Sequence, residues 1–313
     1  MRTKSLFLIA VAIVLGIAGA AFGRDITFFV AADLHYGQDQ LENNEQANKN
    51  AIAIMNNLPG AAFPAKSFGV VAKPRGVLVA GDLTDSGKGV NYDGEYLGVH
   101  VFDGFADDYP VKGGEGVHIH FPVYEGYGNH DVQKQTGDAV LVGIALRNKN
   151  RDTPVNVSDN GLHYSWDWDD VHFVNVNVYP GGKGDARHSL SFLQKDLAAR
   201  AGTSGRPVVI MQHYGFDNLS IEDRWWKQDQ RDAFYNVIKK YKVVAIFTGH
   251  EHLCHRVIWN GIADFVAPRA KGDKGVDGIF AVRMLDNKMI VAQRRLDGTW
   301  GDVWTEDLPA PGH

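Results

Sequence analysis

Five short apolar runs in this chain each stop at a polar, chemistry-bearing residue. Asp25 to Ala32 leads into Asp33-Leu34-His35, and Gly76 to Ala80 into Gly81-Asp82. The strand-like run His118 to Tyr124 precedes Gly128-Asn129-His130-Asp131, Pro207 to Met211 runs into Gln212-His213, and Val243 to Phe247 into Gly249-His250-Glu251-His252. Continuous runs of small and branched apolar residues predict strands buried on both faces. Helical patterns at Asn44 to Leu58, at Ser189 to Arg200 with Ser189 as its cap, and at Gln230 to Lys240 separate them. Such alternation predicts an α/β fold with a helix-flanked, largely parallel sheet, whose carboxyl strand ends converge on one crevice.

The remaining segments fill in this frame. His163 to Trp168 and Val171 to Tyr179 predict a hairpin with Asp169 and Asp170 at its turn, its second arm alternating apolar and polar. After the glycine-rich stretch Lys271 to Gly278, the runs Ile279 to Leu285 and Met289 to Arg294 predict an antiparallel pair. No internal repeat or linker interrupts residues 24–313, which are expected to form one domain. Residues 1–23 read differently: Arg2 and Lys4 precede the apolar run Leu6 to Phe22, and Ala21 and Gly23 provide small residues ahead of Arg24. That is the pattern of a signal peptide, which predicts a secreted or periplasmic protein with no membrane span after cleavage, or a membrane-anchored one if uncleaved. The 32 Lys and Arg against 37 Asp and Glu, without a basic block, argue against tracking a nucleic-acid backbone.

Seven potential ligands stand at the predicted strand ends: Asp33, His35, Asp82, Asn129, His213, His250 and His252. One such residue would ordinarily be a cap or turn former. An ordered set following five apolar strands is hard to reconcile with that reading. Pairs spaced D-x-H and H-x-H direct side chains to neighbouring points, which suits two cations about 3.5–4 Å apart, with Asp82 as the bridge. The single cysteine, Cys254, gives no zinc-finger spacing, so any metal is held by His, Asp, Glu or Asn. The other histidines, His100, His118, His120, His163, His172, His188 and His255, lack this context and read as ordinary surface or hydrogen-bonded residues.

The ordered set Asp33-x-His35, Gly81-Asp82, Gly128-Asn129-His130-Asp131, His213 and Gly249-His250-x-His252 resembles the calcineurin-like metallophosphoesterases over about residues 25–295. The resemblance implies a four-layer αββα sandwich of two mixed sheets with a dimetal centre at its edge. Asp33, His35, Asp82 and His252 would hold one divalent cation, and Asp82, Asn129, His213 and His250 the other. His130 would contact phosphate or protonate the leaving group, and Asp131 would orient it. The D-x-H start argues against the purple acid phosphatase branch. Two cations sharing Asp82 would make hydroxide available near neutral pH for in-line attack on a phosphate mono- or diester. A donor set without thiolate admits Mn, Fe or Zn. From a different functional class, the chain could be a catalytically inactive phosphate- or metal-binding protein on the same fold, for which an incomplete ligand set would be the sign.

Substrate residues are less sharply marked. Arg224, Trp225 and Trp226 lie in a polar stretch between His213 and His250 that could stack an organic leaving group and hold phosphate. The tryptophans could equally cover the following helix. Tyr36 and Tyr214, each following a ligand position, are candidates for lining the pocket, and Thr84 to Gly116 reads as an insertion beside it. A small phosphate ester or a phospholipid head group would both suit such a site; oligomeric state is not written in these motifs.

Overall fold

The computed structural model describes residues 23–37, 44–86, 98–132, 139–152, 156–181, 189–216, 225–270 and 277–310. Two mixed β-sheets form its centre. The first contains β1 (Asp25–Ala31), β2 (Val77–Ala80), β3 (Val123–Gly126), β11 (Gly278–Leu285), β12 (Lys288–Arg295) and β13 (Trp300–Asp307), in the order β13-β12-β11-β1-β2-β3. The second contains β4 (Asn156–Val157), β5 (Tyr164–Trp168), β6 (Val171–Asn175), β7 (Pro207–Met211), β8 (Lys242–Thr248), β9 (His255–Trp259) and β10 (Ile262–Val266), in the order β4-β5-β6-β7-β8-β10-β9. Strands β1, β2 and β3 are mutually parallel, as are β6, β7, β8 and β10. Antiparallel pairs flank both groups, so the largely parallel sheet expected from residue patterns becomes two mixed ones.

The period of two along β1 explains how the layers stack. Ile26, Phe28 and Val30 join the core between the sheets, where Phe28 meets Phe173 and Phe247 with near-perpendicular rings. Phe29 and Ala31 belong instead to the core shared with the helices. That core takes in Ile52 and Met55 of α1 (Asn44–Asn57), Phe102 and Phe105 of α2 (Gly98–Asp108), and Val140 and Ile144 of α3 (Ala139–Lys149). It also includes Leu193 and Leu197 of α4 (Ser189–Arg200) and Phe234 and Ile238 of α5 (Gln228–Ile238). The result is the αββα sandwich. Among the described residues no helix is long and apolar enough to cross a membrane.

Several local expectations need correction. The strand expected from His118 begins only at Val123, because Ile119 donates to Asp108 O and accepts from Gly114 in a local turn, and Pro122 has no N–H to offer a neighbour. The β5–β6 hairpin has its two-residue turn at Asp169 and Asp170, but β6 ends at Asn175 and is buried on both faces rather than alternating. Ser189 is the first helical residue of α4 and donates its hydroxyl to Tyr179 O, so it does not act as the helix cap. The Thr84 to Gly116 segment carries α2, and its residues 87–97 lie outside the described ones.

Candidate metal centre

The strand ends turn sharply at the site. Among the described residues eight non-glycine positions have positive φ, and five are predicted ligands: Asp33 (54°), His35 (47°), Asp82 (49°), His250 (74°) and His252 (57°). Non-glycine residues seldom adopt this region, and clusters of them concentrate at functional sites. The turns after β1 and β2 are sewn together by Asp33 N to Gly81 O (3.1 Å) and His35 N to Asp82 O (3.0 Å). The glycines preceding two ligands are required by close approach. A Cβ on Gly81 would stand 2.5 Å from His213 Nδ1, and one on Gly128 would stand 2.2 Å from Asp82 Oδ1.

All seven predicted ligands converge. Donor atoms of Asp33, His35, Asp82 and His252 lie within 4.8 Å of one another, as do those of Asp82, His213 and His250, so Asp82 belongs to both groups. His35 Nε2 and His252 Nε2 are 3.0 Å apart, and His252 Nε2 is 3.3 Å from Asp33 Oδ1. His213 Nε2 stands 3.1 Å from both Asp82 Oδ2 and Asn129 Oδ1. The other ring nitrogen, Nδ1, lies 2.8 Å from Ala80 O. With Nδ1–H donated there, Nε2 faces two oxygen acceptors, a position that a proton or a cation must fill. Buried His250 Nε2 has no hydrogen-bond partner. The donor set therefore fits two divalent metal ions.

The electrostatics have the same sense. Burial alone would raise the carboxyls of Asp82 and Asp33, but adjacent imidazoles, His213 and His252 respectively, hold both below the usual carboxylate range. Burial would likewise lower His213, yet the Asp82 and Asp33 carboxylates raise it to about 9. His250 is pushed down to about 4 by burial and by the neighbouring His213 charge, so it is neutral and able to ligate at neutral pH.

His130 stands beside this centre, its ring edge-on to His35 with centroids 4.7 Å apart. Its partner is not the expected one. His130 Nδ1 lies 2.6 Å from the carbonyl of Asp85 and 3.9 Å from that residue's Oδ1, while Asp85 Oδ1 is 3.4 Å from His35 Nδ1. Asp131 instead accepts from Leu83 N, Thr84 N, Thr84 Oγ1 and Gly128 N. Its carboxyl ties together the turns after β2 and β3 and does not orient His130. The sequence signal that could have revealed Asp85 is its position three residues beyond Asp82, within one turn of the chain.

The substrate candidates separate by burial. Trp226 is fully buried among Phe216, Tyr179 and Phe234, so it is a core residue and not a substrate contact. Tyr214 is also buried, stacked on Tyr179 and packed against the His250 ring, and it supports a ligand rather than lining a pocket. Tyr36 donates its hydroxyl to Asp108 Oδ2 at 2.6 Å, fastening the turn after β1 to α2. Half-buried Trp225 meets the His250 ring nearly perpendicularly at 5.0 Å and remains beside the centre. Arg224 lies outside the described residues.

A four-layer α/β sandwich whose strand ends gather carboxylate, amide and imidazole donors around a shared aspartate defines a metal-dependent phosphoric ester hydrolase. The chain belongs to the calcineurin-like phosphoesterase family, whose profile matches residues 26–254. Among solved structures, a dimetal phosphatase from Danio rerio has a TM-score of 0.61 at 12% identity, covering 90% of this chain and 98% of that one. GAP50, the anchor in the inner membrane complex of Plasmodium, gives 0.58 at 10% identity, covering 92% and 89%. The purple acid phosphatase PPD1 from yellow lupin (Lupinus luteus) seeds gives 0.60 at 13% identity, covering 92% of this chain and 55% of that one. At these identities the likeness is one of fold. No curated protein matches the sequence.

Proposed function

We propose that this chain is an exported phosphoesterase that hydrolyses small phosphate mono- or diesters at a two-cation centre. The observation that carries the reading is the membership of Asp82 in both donor groups. Asp33, His35, Asp82 and His252 would hold one cation, and Asp82, Asn129, His213 and His250 the other, with Mn, Fe or Zn compatible with these donors. When bound, such a pair supplies Lewis acidity toward water and toward the phosphoryl oxygens. His130 has the protein's other part in the reaction. Its Nδ1–H is held by Asp85 O, which leaves Nε2 free, when the ring is imidazolium, to donate to a phosphoryl oxygen or to deliver its second proton to the leaving oxygen. Trp225 beside His250 offers a flat apolar surface for an organic leaving group. Export rests on the leader pattern of residues 1–23 and the small residues ahead of Arg24.

The test combines metal analysis of the purified chain with assays on p-nitrophenyl phosphate and bis-p-nitrophenyl phosphate in added Mn. Two ions per chain and turnover of one ester support the reading, and the preferred ester separates monoesterase from diesterase. A chain that binds no divalent ion, or that binds two and hydrolyses neither ester, would overturn it.

A further inference from the structure

Eight non-glycine residues have left-handed backbone among those described, and seven have an evident reason. Five are candidate ligands, Asp169 makes the β5–β6 turn, and Asn260 makes the β9–β10 turn. Asn177 (φ 62°) is the eighth, and it is 1% exposed. It belongs to no hairpin, and its side-chain atoms are engaged with Tyr127, Leu162 and His163.

Its bonds explain its position. Asn177 O accepts from His213 N at 2.7 Å, and its Oδ1 accepts from Tyr127 N at 3.2 Å. His213 follows β7 in the second sheet, whereas Tyr127 follows β3 in the first, two residues ahead of Asn129. The same residue thus grips the backbone of one ligand, His213, and of Tyr127, two residues ahead of the other, Asn129, and the side chains of those two ligands meet at 3.1 Å across the two sheets. The amide is itself fixed, because Nδ2 donates to Leu162 O at 2.9 Å and stands 2.8 Å from His163 Nδ1. Asn175 repeats the reach one pleat earlier, with Nδ2 donating to Glu125 O of β3 and Oδ1 accepting from Asn177 N. β3 and β6 belong to different sheets, so no strand-to-strand ladder fixes their relative height. A side-chain bond does so here, and left-handed backbone at Asn177 lets one residue present its carbonyl to one sheet and its amide to the other.

We propose that Asn177 is a positioning residue that sets the register between the two sheets at the metal centre, holding Asn129 opposite His213. The inference rests on the two-cation reading above. Asn177→Gly keeps the left-handed backbone at no steric cost and removes only the side-chain bonds. Asn177→Asp keeps the acceptor for Tyr127 N. Asn260→Gly makes the same exchange in a hairpin turn as a control.

Each protein is loaded with Mn, challenged with EDTA, and assayed for retained metal, melting temperature, kcat and KM. The expected result for Asn177→Gly is metal retention and kcat reduced about 10–100-fold, the range typical of lost ligand-supporting contacts, with KM little changed and a melt that is lower, because buried partners lose their bonds, but still cooperative and above the assay temperature. Asn177→Asp should retain metal better than the glycine variant, and Asn260→Gly should match wild type. Wild-type metal retention and kcat in Asn177→Gly, or equal losses in Asn260→Gly, would overturn the proposal. Metal lost only in step with unfolding would also overturn it. Should Asn177→Gly not fold, Asn177→Asp decides: wild-type metal retention supports the acceptor role, and metal loss in a folded protein refutes it. If wild type itself bound fewer than two ions, it is the two-cation reading that would fail.

Discussion

Asp82 meets a ligand histidine on each side, with Oδ2 at 3.1 Å from His213 Nε2 and 3.9 Å from His35 Nε2, while Oδ1 accepts from His130 N. Two cations at one carboxylate repel each other unless its charge lies between them. Asp82→Asn should therefore release at least one ion and reduce kcat by orders of magnitude; a variant keeping two ions and more than about a tenth of wild-type kcat would refute the bridge. His130→Ala should leave both ions in place. It should slow esters with alkoxide leaving groups by about 10²–10⁴-fold and p-nitrophenyl phosphate less, because p-nitrophenolate departs without protonation. Equal slowing of both esters would remove proton delivery from its role. Asp131→Ala would act otherwise, costing about 2–4 kcal/mol of stability by leaving four donors unmatched, with no dependence on leaving group. Sequence reasoning reached the ligand positions because each lies where an apolar strand ends. It missed the His130 partner because adjacent residues in the 3₁₀ turn His130–Val132 point about 120° apart, while Asp85 is 45 residues away in the chain.

At the scale of elements, β6 shows where a polar residue misleads. His172 occupies a position that pattern alone assigns to solvent, yet it is 1% exposed between Asp167 Oδ1 and Asp196 Oδ2, each 2.7 Å from a ring nitrogen. Asp196 belongs to α4 and also accepts from Asn156 and Ser165, while Arg206 stands on Asp167, so this one imidazole joins a hairpin to a helix. Burial opposes the charge, but the two carboxylates prevail and raise the His172 pKa above its ordinary value. With the folded pKa above the unfolded one, the contribution to stability is complete below about pH 6.5 and fades as pH rises through the folded value. Denaturant melts across pH 5–9 should show that decline, and His172→Gln should flatten it; an unchanged profile would refute the linkage. The strands that pattern did foresee are apolar and, apart from β3 at the edge of the first sheet, central. Those it missed include β9 and β13, one edge strand of each sheet, whose exposed alternate residues interrupt any apolar run.

For the molecule as a whole, the start of β1 has a built seat. Arg24 is 3% exposed; its guanidinium pairs with Asp170 in the β5–β6 turn and donates to Leu285 O, Asp286 O and Pro309 O, joining both sheets to the last described segment. Its backbone nitrogen donates to Asp286 Oδ1 at 2.5 Å, while Gly23 before it is exposed. If export removes residues 1–23, that nitrogen becomes an ammonium already placed against a carboxylate. Because Asp286 is exposed, the new ion pair would add only about 0–1 kcal/mol, so a shift in melting temperature is a poor test of processing. Mass spectrometry of the native N-terminus is the better one, and the expected first residue in the exported fraction is Arg24. The side chain gives a larger effect, since Arg24→Ala leaves Asp170 and three carbonyls without their donor and should cost about 2–4 kcal/mol whether or not the leader is removed. An intact Met1 on membrane-bound protein would replace export by anchoring, and a stable Arg24→Ala variant would mean that the two sheets need no fastening at this end.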